Sequence, residues 1–211
     1  GASVGDYQAA SAWSAFTNMQ CRETLTVYEG TSTNRNVPAY IYYFDDFTRS
    51  QFVIPYYELG DMLATPISSM TFYTTSSNVP YTTTCSADVY LKEVGYGSTI
   101  SAFEPKSSAT IVYSGTLSIV STGSGGEMTI NFSTPYTYNG GSLLVGIENT
   151  ARGGFKNIYF YGQTVNGASI SGSNSSGLDY VQPTQQNFIP KTTFGYTPYF
   201  CSRPIGLTAT N

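Results

Sequence analysis

Apolar and polar residues alternate with a period of two along much of the chain, which is the pattern of half-buried β-strands. Clusters of Gly, Ser, Asn and Pro separate the alternating runs. Such spacing predicts an all-β fold, a two-sheet antiparallel β-sandwich of jelly-roll type. The predicted strands, about ten in number, are residues 25–29, 39–44, 50–55, 68–74, 87–94, 109–115, 127–132, 142–148, 157–162 and 191–196.

One segment departs from the alternation. Leu59, Met62 and Leu63 follow Pro55 at helical spacing, so residues 56–63 are predicted to form a short helix or helical turn between two strands. Helical turns of this kind serve as connectors within all-β domains.

An Asn-Gly-Gly segment separates two of the predicted strands. Asn139 and Gly140 favour the φ > 0 positions of a type I′ turn, and Gly141 could widen that turn to a bulged hairpin. The pattern therefore predicts a hairpin between residues 127–132 and 142–148. Six side chains are expected to face one core, namely Met128, Ile130, Phe132, Leu143, Val145 and Ile147.

Composition adds a picture of the surface. Charged residues make up 10% of the 211 residues, against about a quarter in ordinary globular domains. The 19 Tyr, 12 Phe and 21 Gly are typical of secreted β-proteins, whose strands use aromatic residues and whose turns use Gly. Hydroxyl and amide side chains must therefore cover most of the surface.

The charge balance limits the partners. A formal net charge of -4 with 9 Lys and Arg offers no extended basic field for phosphates, so neither nucleic acid nor an anionic membrane surface is expected as a partner. No run of about 18 apolar residues occurs, so no membrane insertion is expected.

Catalytic motifs are scarce. The chain has no His, which excludes Ser-His-Asp and Cys-His sites and ordinary zinc sets. Its 13 Asp and Glu residues are scattered singly, apart from one adjacent pair, and do not form the closely spaced carboxylates of jelly-roll glycosidases. The sequence therefore predicts a non-enzyme that requires no cofactor.

The adjacent carboxylates are Asp45 and Asp46, at the end of a predicted strand. Together with loop carbonyls they could hold a structural Ca²⁺. The favoured interpretation is a solvated turn, where the Asp side chain bonds to its own backbone.

The three cysteines, Cys21, Cys85 and Cys201, permit either one disulfide or three buried thiols. A bridge between Cys21 and Cys201 would tie the two ends of the domain together.

Tyrosines provide the candidate ligand-binding residues. Tyr40 and Tyr42 share one face of a predicted strand, and Tyr159 and Tyr161 share one face of another. A row of exposed Tyr can stack on sugar rings while its hydroxyls bond to sugar hydroxyls. Equally, Tyr is a good residue for any half-buried strand.

Several longer runs carry a resemblance. They are residues 25–34, 54–73, 89–94, 132–150 and 183–196, and the most specific pieces are PYTYNGGSLLVGI (135–147) and NFIPKTTFGY (187–196). Together they resemble a module repeated in large secreted surface proteins of anaerobic gut and oral bacteria, often followed by fibronectin type III domains. The chain is also distantly similar to cleaved-adhesin modules of haemagglutinin-type proteins, which are jelly rolls and usually bind structural Ca²⁺.

The resemblance implies an exported, non-catalytic module of an adhesin-like surface protein that recognises a host glycan or an extracellular protein. Two alternatives stay open: a carbohydrate-binding module that targets an attached hydrolase to polysaccharide, and a passive spacer. The expected organisation is an N-terminal arm or edge segment (1–20), the sandwich (21–201) and a linker (202–211) into a fibronectin type III domain. A monomeric module within a longer extracellular or cell-surface chain is expected.

Overall fold

A computed structural model of the chain describes residues 23–40, 43, 46–76, 81–97, 99–154 and 156–198. Strands dominate them, with a few short 3-10 turns between. The strands are β1 Glu23–Val27, β2 Ser32–Asn34, β3 Phe47–Ile54, β4 Pro66–Thr74, β5 Tyr81–Val94, β6 Thr110–Ser121, β7 Gly126–Thr137, β8 Ser142–Asn149, β9 Phe160–Thr164, β10 Ser169–Asn174, β11 Thr184–Gln185, β12 Phe188–Pro190 and β13 Thr192–Tyr196. The 3-10 turns are Tyr56–Glu58, Gly60–Met62, Lys106–Ser108 and Leu178–Tyr180.

The strands form two antiparallel sheets. Sheet A has seven strands in the order β1-β13-β4-β9-β12, with β7 also paired to β4 and β2 paired to β9. Sheet B has six strands in the order β11-β10-β3-β8-β5-β6. The predicted all-β, two-sheet antiparallel sandwich is confirmed, with more strands than the alternation alone indicated. The short strands β2, β10, β11 and β12 were not predicted, because too few residues alternate in them.

One core fills the space between the sheets. Phe72 of β4 and Phe52 of β3 meet across it edge to face, with ring centroids 6.1 Å apart. The buried side chains around them come from the inward positions of both sheets, including Met70, Val89, Met128, Ile130, Val145, Ile147 and Phe194. Each fully buried side chain of this size contributes about 1.5–3 kcal/mol, so the alternating pattern accounts for the stability of the sandwich.

The predicted Asn-Gly hairpin is wrong. Strand β7 pairs with β4 in sheet A, whereas β8 pairs with β3 and β5 in sheet B. The segment between them therefore crosses from one sheet to the other. The inward positions were nevertheless predicted correctly, because Met128, Ile130, Leu143, Val145 and Ile147 are buried in one core and Phe132 packs against it.

Contacts with a third strand hold this crossing. The Glu93 carboxylate on β5 accepts hydrogen bonds from the backbone N–H of Asn139 and of Gly141, both at 2.8 Å. Tyr138 is buried, and its hydroxyl donates to the carbonyl of Gly141 at 2.7 Å. Gly140 has φ 112, which favours glycine. Asn139 does not share this positive φ, so the predicted type I′ turn is also wrong, and the tertiary contacts hold the chain as it crosses between the sheets.

Two other predictions have mixed outcomes. Residues 56–63 contain two consecutive 3-10 turns, with Leu59 and Met62 buried, which confirms the helical turn. The predicted strand 39–44 is wrong where the structure describes it, because Ala39 and Tyr40 lie outside the strands and Tyr43 lies in a 3-10 turn. The predicted arm (1–20), the linker (202–211), Cys21 and Cys201 lie outside the described residues.

The helical elements of the described residues are 3-10 turns of three residues each. No helix within the described ranges is long and apolar enough to cross a membrane.

Candidate functional site

A shallow groove of about 480 Å³ lies where β4 ends and β7 begins, at one end of sheet A. Its lining includes Tyr73 of β4, Glu127 of β7, Tyr161 of β9 and Lys191 beside β13. Tyr73 and Glu127 are direct partners in the β4–β7 register. Because directly opposed residues project from the same side of a sheet, the strand pairing itself brings the aromatic ring and the carboxylate together.

Tyr73 and Lys191 are held by neighbouring polar groups. The ammonium nitrogen of Lys191 lies 4.7 Å from the centroid of the Tyr73 ring and 3.0 Å from Oε2 of Glu29. The Tyr73 hydroxyl shares a hydrogen bond of 2.7 Å with Thr193 Oγ1. A cation over an exposed ring contributes about 0.5–1 kcal/mol. Lys191 at the ring face and Thr193 at the hydroxyl therefore fix the orientation of the Tyr73 ring independently of any ligand.

Two glycines form part of the groove's edge. Gly125 and Gly126 line it, and Gly125 has φ +97. A Cβ at Gly125 would lie 2.8 Å from the Thr74 carbonyl, and one at Gly126 would lie 2.1 Å from the Val120 carbonyl. Only glycine fits these two positions, because any Cβ would meet a backbone carbonyl.

The structure separates the tyrosines selected from the sequence. Tyr161 lines the groove, but Tyr159 and Tyr40 are not among its lining residues. Tyr159 is half-buried just before β9, and its carbonyl accepts the Thr75 N–H at 2.8 Å. Tyr40 packs edge to face on Tyr43 with centroids 5.1 Å apart, and Tyr42 lies outside the described residues.

Sequence reasoning missed other aromatic residues. Tyr73 belongs to a predicted strand, and its outward position follows from the alternation around Phe72. At the opposite end of the sandwich, Tyr56 stands edge to face with Tyr57 and Tyr96 at centroid distances of 5.6 and 4.9 Å. Tyr57 is 67% exposed and Tyr96 is 81% exposed. In the sequence, Tyr56 and Tyr57 directly follow Pro55, and Tyr96 stands between two glycines. Such positions are typical of the ends of strands, and this is the signal that could have identified them.

The predicted calcium pair is only partly described. Asp45 lies outside the described residues. Asp46 has its carboxylate 3.7 Å from Nη2 of Arg152, and its backbone carbonyl accepts the Asn149 side-chain amide at 2.8 Å. No group of three or more Asp, Glu or Cys side chains among the described residues could hold a metal ion. A structural Ca²⁺ at Asp45 and Asp46 stays a prediction.

Cys85 is a free thiol buried in the core. Burial raises its pKa to about 12, so little reactive thiolate forms near neutral pH. Cys85 therefore behaves as a small apolar side chain, which agrees with three buried thiols and equally with a bridge between Cys21 and Cys201.

The outer face of sheet B has a different chemistry. The β5–β6 connection packs on it, forming a second small core of Val53, Tyr90, Ile100, Leu144 and Ile170. Gln51 on this face is buried; its amide nitrogen donates to the Tyr90 hydroxyl at 2.9 Å and to the Glu104 carbonyl at 2.7 Å. Burial raises the pKa of Tyr90 to about 12.

Buried charges on the same face form a compensated network. Glu148, 1% exposed, lies 2.9 Å from Arg49 Nε and 2.5 Å from Lys106 Nζ. Lys106 also lies 2.6 Å from Asp88, which accepts the Ser114 hydroxyl at 2.7 Å. Burial alone would raise the pKa of Asp88, but the hydrogen bonds from Lys106 and Ser114 outweigh it and lower that pKa. Two cations and two carboxylates thus neutralise one another in a structural network.

Comparison of the chain with family models, with curated proteins and with solved structures finds no match.

Proposed function

We propose that the chain is a non-catalytic binding module that recognises a glycan through the groove at the end of sheet A. The observation that carries the proposal is the convergence of Tyr73, Tyr161, Lys191 and Glu127 in one open groove. An extracellular or cell-surface protein with this module would use it as an adhesin does, or to target an attached hydrolase.

The chemistry of the lining supports a sugar. A tyrosine ring offers an apolar face to the C–H side of a pyranose and a hydroxyl to its polar edge. The ammonium of Lys191 donates and the carboxylate of Glu127 accepts, which together match the mixed donors and acceptors of sugar hydroxyls.

Binding is proposed rather than catalysis for two reasons. Glu29, the carboxylate nearest to Lys191, is already ion-paired with it at 3.0 Å. The chain also has no His that could act as a general base near neutral pH.

Affinity electrophoresis tests the proposal. The protein is run through gels that contain xylan, mixed-linkage β-glucan, mannan or mucin. We expect retardation by at least one of them, and Tyr161→Ala should weaken that retardation about tenfold, since ring stacking is worth roughly 0.5–1.5 kcal/mol beyond buried area. The matched control is Tyr57→Ala, which removes an exposed tyrosine from the opposite end.

Three results would contradict the proposal. Retardation that survives Tyr161→Ala but disappears in Tyr57→Ala would place the site at the other end of the sandwich. Failure of the wild-type chain in every gel and on a broad glycan array, together with capture by an extracellular-matrix protein, would favour a protein partner. Failure with both glycans and matrix proteins would favour a passive spacer.

A further inference from the structure

Four threonines form a row across sheet A. The antiparallel registers pair Thr26 of β1 with Thr193 of β13, Thr193 with Thr71 of β4, and Thr71 with Thr129 of β7. All four therefore occupy the same level on four adjacent strands. Their neighbours in sequence, Val27, Phe194, Phe72 and Met128, are buried in the core, so the threonines project outward.

The hydroxyls of this threonine row are linked in pairs. Thr26 and Thr193 share a hydrogen bond of 2.8 Å, and Thr71 and Thr129 share one of 3.0 Å. A hydroxyl has one donor and two acceptor sites, so each pair keeps hydrogen-bonding capacity toward solvent. The cross-strand bonds fix the rotamers, and less side-chain entropy is then lost when a ligand binds.

Beside the row lies a second level of the same character. Thr24, Gly195, Ser69 and Asn131 follow one another across the same four strands. Thr24 and Asn131 are exposed, as is Thr129 in the first row. Neither level contains a Lys, Arg, Asp or Glu. The face thus presents neutral hydroxyl, amide and methyl groups over a regular strand spacing.

Tyr73 connects this surface to the groove. It lines the groove, and its hydroxyl shares a hydrogen bond with Thr193, in the middle of the row, at 2.7 Å. Strands lie about 4.8 Å apart, so four of them span about 14 Å. A chain of sugars that enters the groove could therefore continue directly over the row.

We propose that the ligand of this face is an extended, neutral polysaccharide that crosses β7, β4, β13 and β1 along the threonine row. The inference rests on the proposed glycan-binding function and adds the length, charge and direction of the ligand. Sugar chains alternate C–H and hydroxyl groups, as a threonine surface does. A protein partner fits less well, because the core of a protein interface is enriched in aromatic residues and Met, and the two polar levels of this face contain neither.

The test compares ligand lengths by isothermal titration calorimetry. The probes are xylo-, cello- and manno-oligosaccharides, from disaccharide to octasaccharide. Wild-type protein should bind the octasaccharide of one series at least about tenfold more tightly than its disaccharide, as expected when two further hydrogen bonds each add about 0.5–1.5 kcal/mol. The variant Thr71→Val/Thr129→Val should keep disaccharide affinity and lose most of that gain. Valine keeps the shape and strand preference of threonine without its hydroxyl.

The control is Thr110→Val/Thr116→Val, at exposed positions of β6 in sheet B. It should retain the full dependence on length. The inference is overturned if wild-type affinity does not rise with length, if the row variant keeps the whole rise, or if heparin is bound in preference to the neutral chains. A failure of the proposed function is recognised separately, because then Tyr161→Ala would leave disaccharide binding unchanged.

Discussion

The outer faces of the two sheets differ in what they expose. On sheet A the four threonines of the row are exposed or half-buried, and the face carries hydroxyl groups. On sheet B, Gln51, Asp88, Tyr90 and Glu148 project outward from their strands but are buried. The β5–β6 connection covers them, and it supplies Lys106, Phe103 and Glu104 as partners.

The difference shows how a charge-poor protein distributes its charges. Charged residues are only 10% of the chain, yet four of them, Arg49, Asp88, Lys106 and Glu148, form one network on sheet B. A buried ion network adds little net stability over apolar packing, but removing one member leaves the others uncompensated. We infer that the network fixes the position of the β5–β6 connection, whereas the threonine row of sheet A, which contains no charged side chain, is left accessible for a ligand.

The largest expected effect follows from removing the central carboxylate of sheet B. Glu148→Ala leaves Arg49 and Lys106 with side chains 18% and 30% exposed and without their shared partner. Breaking a buried ion pair in this way typically costs about 3 kcal/mol. The variant should therefore lower the free energy of unfolding by that amount, measured from urea-unfolding midpoints, while glycan binding under native conditions stays unchanged.

The control is Glu127→Ala on the face of sheet A. This carboxylate is exposed, and exposed substitutions usually change stability by about 0.5 kcal/mol or less. We expect Glu127→Ala to weaken glycan binding instead, because Glu127 lines the groove. Equal stability losses in the two variants would contradict the contrast between the faces.

The sandwich could be predicted from the sequence because alternation is a local signal. Positions such as Phe52, Phe72 and Val145 must be inward on any strand that includes them. Strand pairing is not local, and the Asn-Gly segment illustrates the limit. The predicted type I′ turn does not form, because only Gly140 of the Asn-Gly pair has a positive φ. Contacts of Glu93 and of the buried Tyr138 hold the chain as it crosses to the other sheet, and the sequence does not indicate those contacts.

The candidate site was predictable only in part, for a similar reason. Tyr161 was selected because it lies on an alternating strand, and the groove includes it. Tyr73, Glu127 and Lys191 lie far apart in sequence and meet through the registers of β4, β7 and β13. The threonine row likewise forms only through the strand registers, since each of the four strands contributes a single threonine to it.

A smaller effect is expected at Asp88, and it depends on pH. The folded-state pKa of Asp88 is lowered, so the folded protein releases the proton more readily than the unfolded chain, whose Asp titrates near about 3.9. The stability gained from this carboxylate is present above that value and is lost as the pH falls through the lower folded-state pKa. Asp88→Asn should cost about 1.5 kcal/mol at neutral pH, as for a hydrogen bond to a charged group.

Urea unfolding at several pH values checks this effect. The difference between wild type and Asp88→Asn should shrink as the solution is acidified below about pH 4. Asp179→Asn, at an exposed carboxylate in the Leu178–Tyr180 turn, is the matched control and should show almost no difference at neutral pH. A constant gap between wild type and Asp88→Asn at all pH values would contradict the assignment of the effect to the ionised carboxylate.

The smallest effect is expected within the threonine row, and it sharpens the comparison most directly. Thr193→Val removes hydrogen bonds to Thr26 and Tyr73, but the released hydroxyls remain within reach of water and valine is a better strand residue. The free energy of unfolding should change by less than about 0.5 kcal/mol. Gln51→Leu on sheet B is the counterpart, since it removes the partner of the buried Tyr90 hydroxyl and of the Glu104 backbone and should cost about 1–3 kcal/mol. If Thr193→Val proved as costly as Gln51→Leu, the row would be a structural element of sheet A and its availability to a ligand would be disproved.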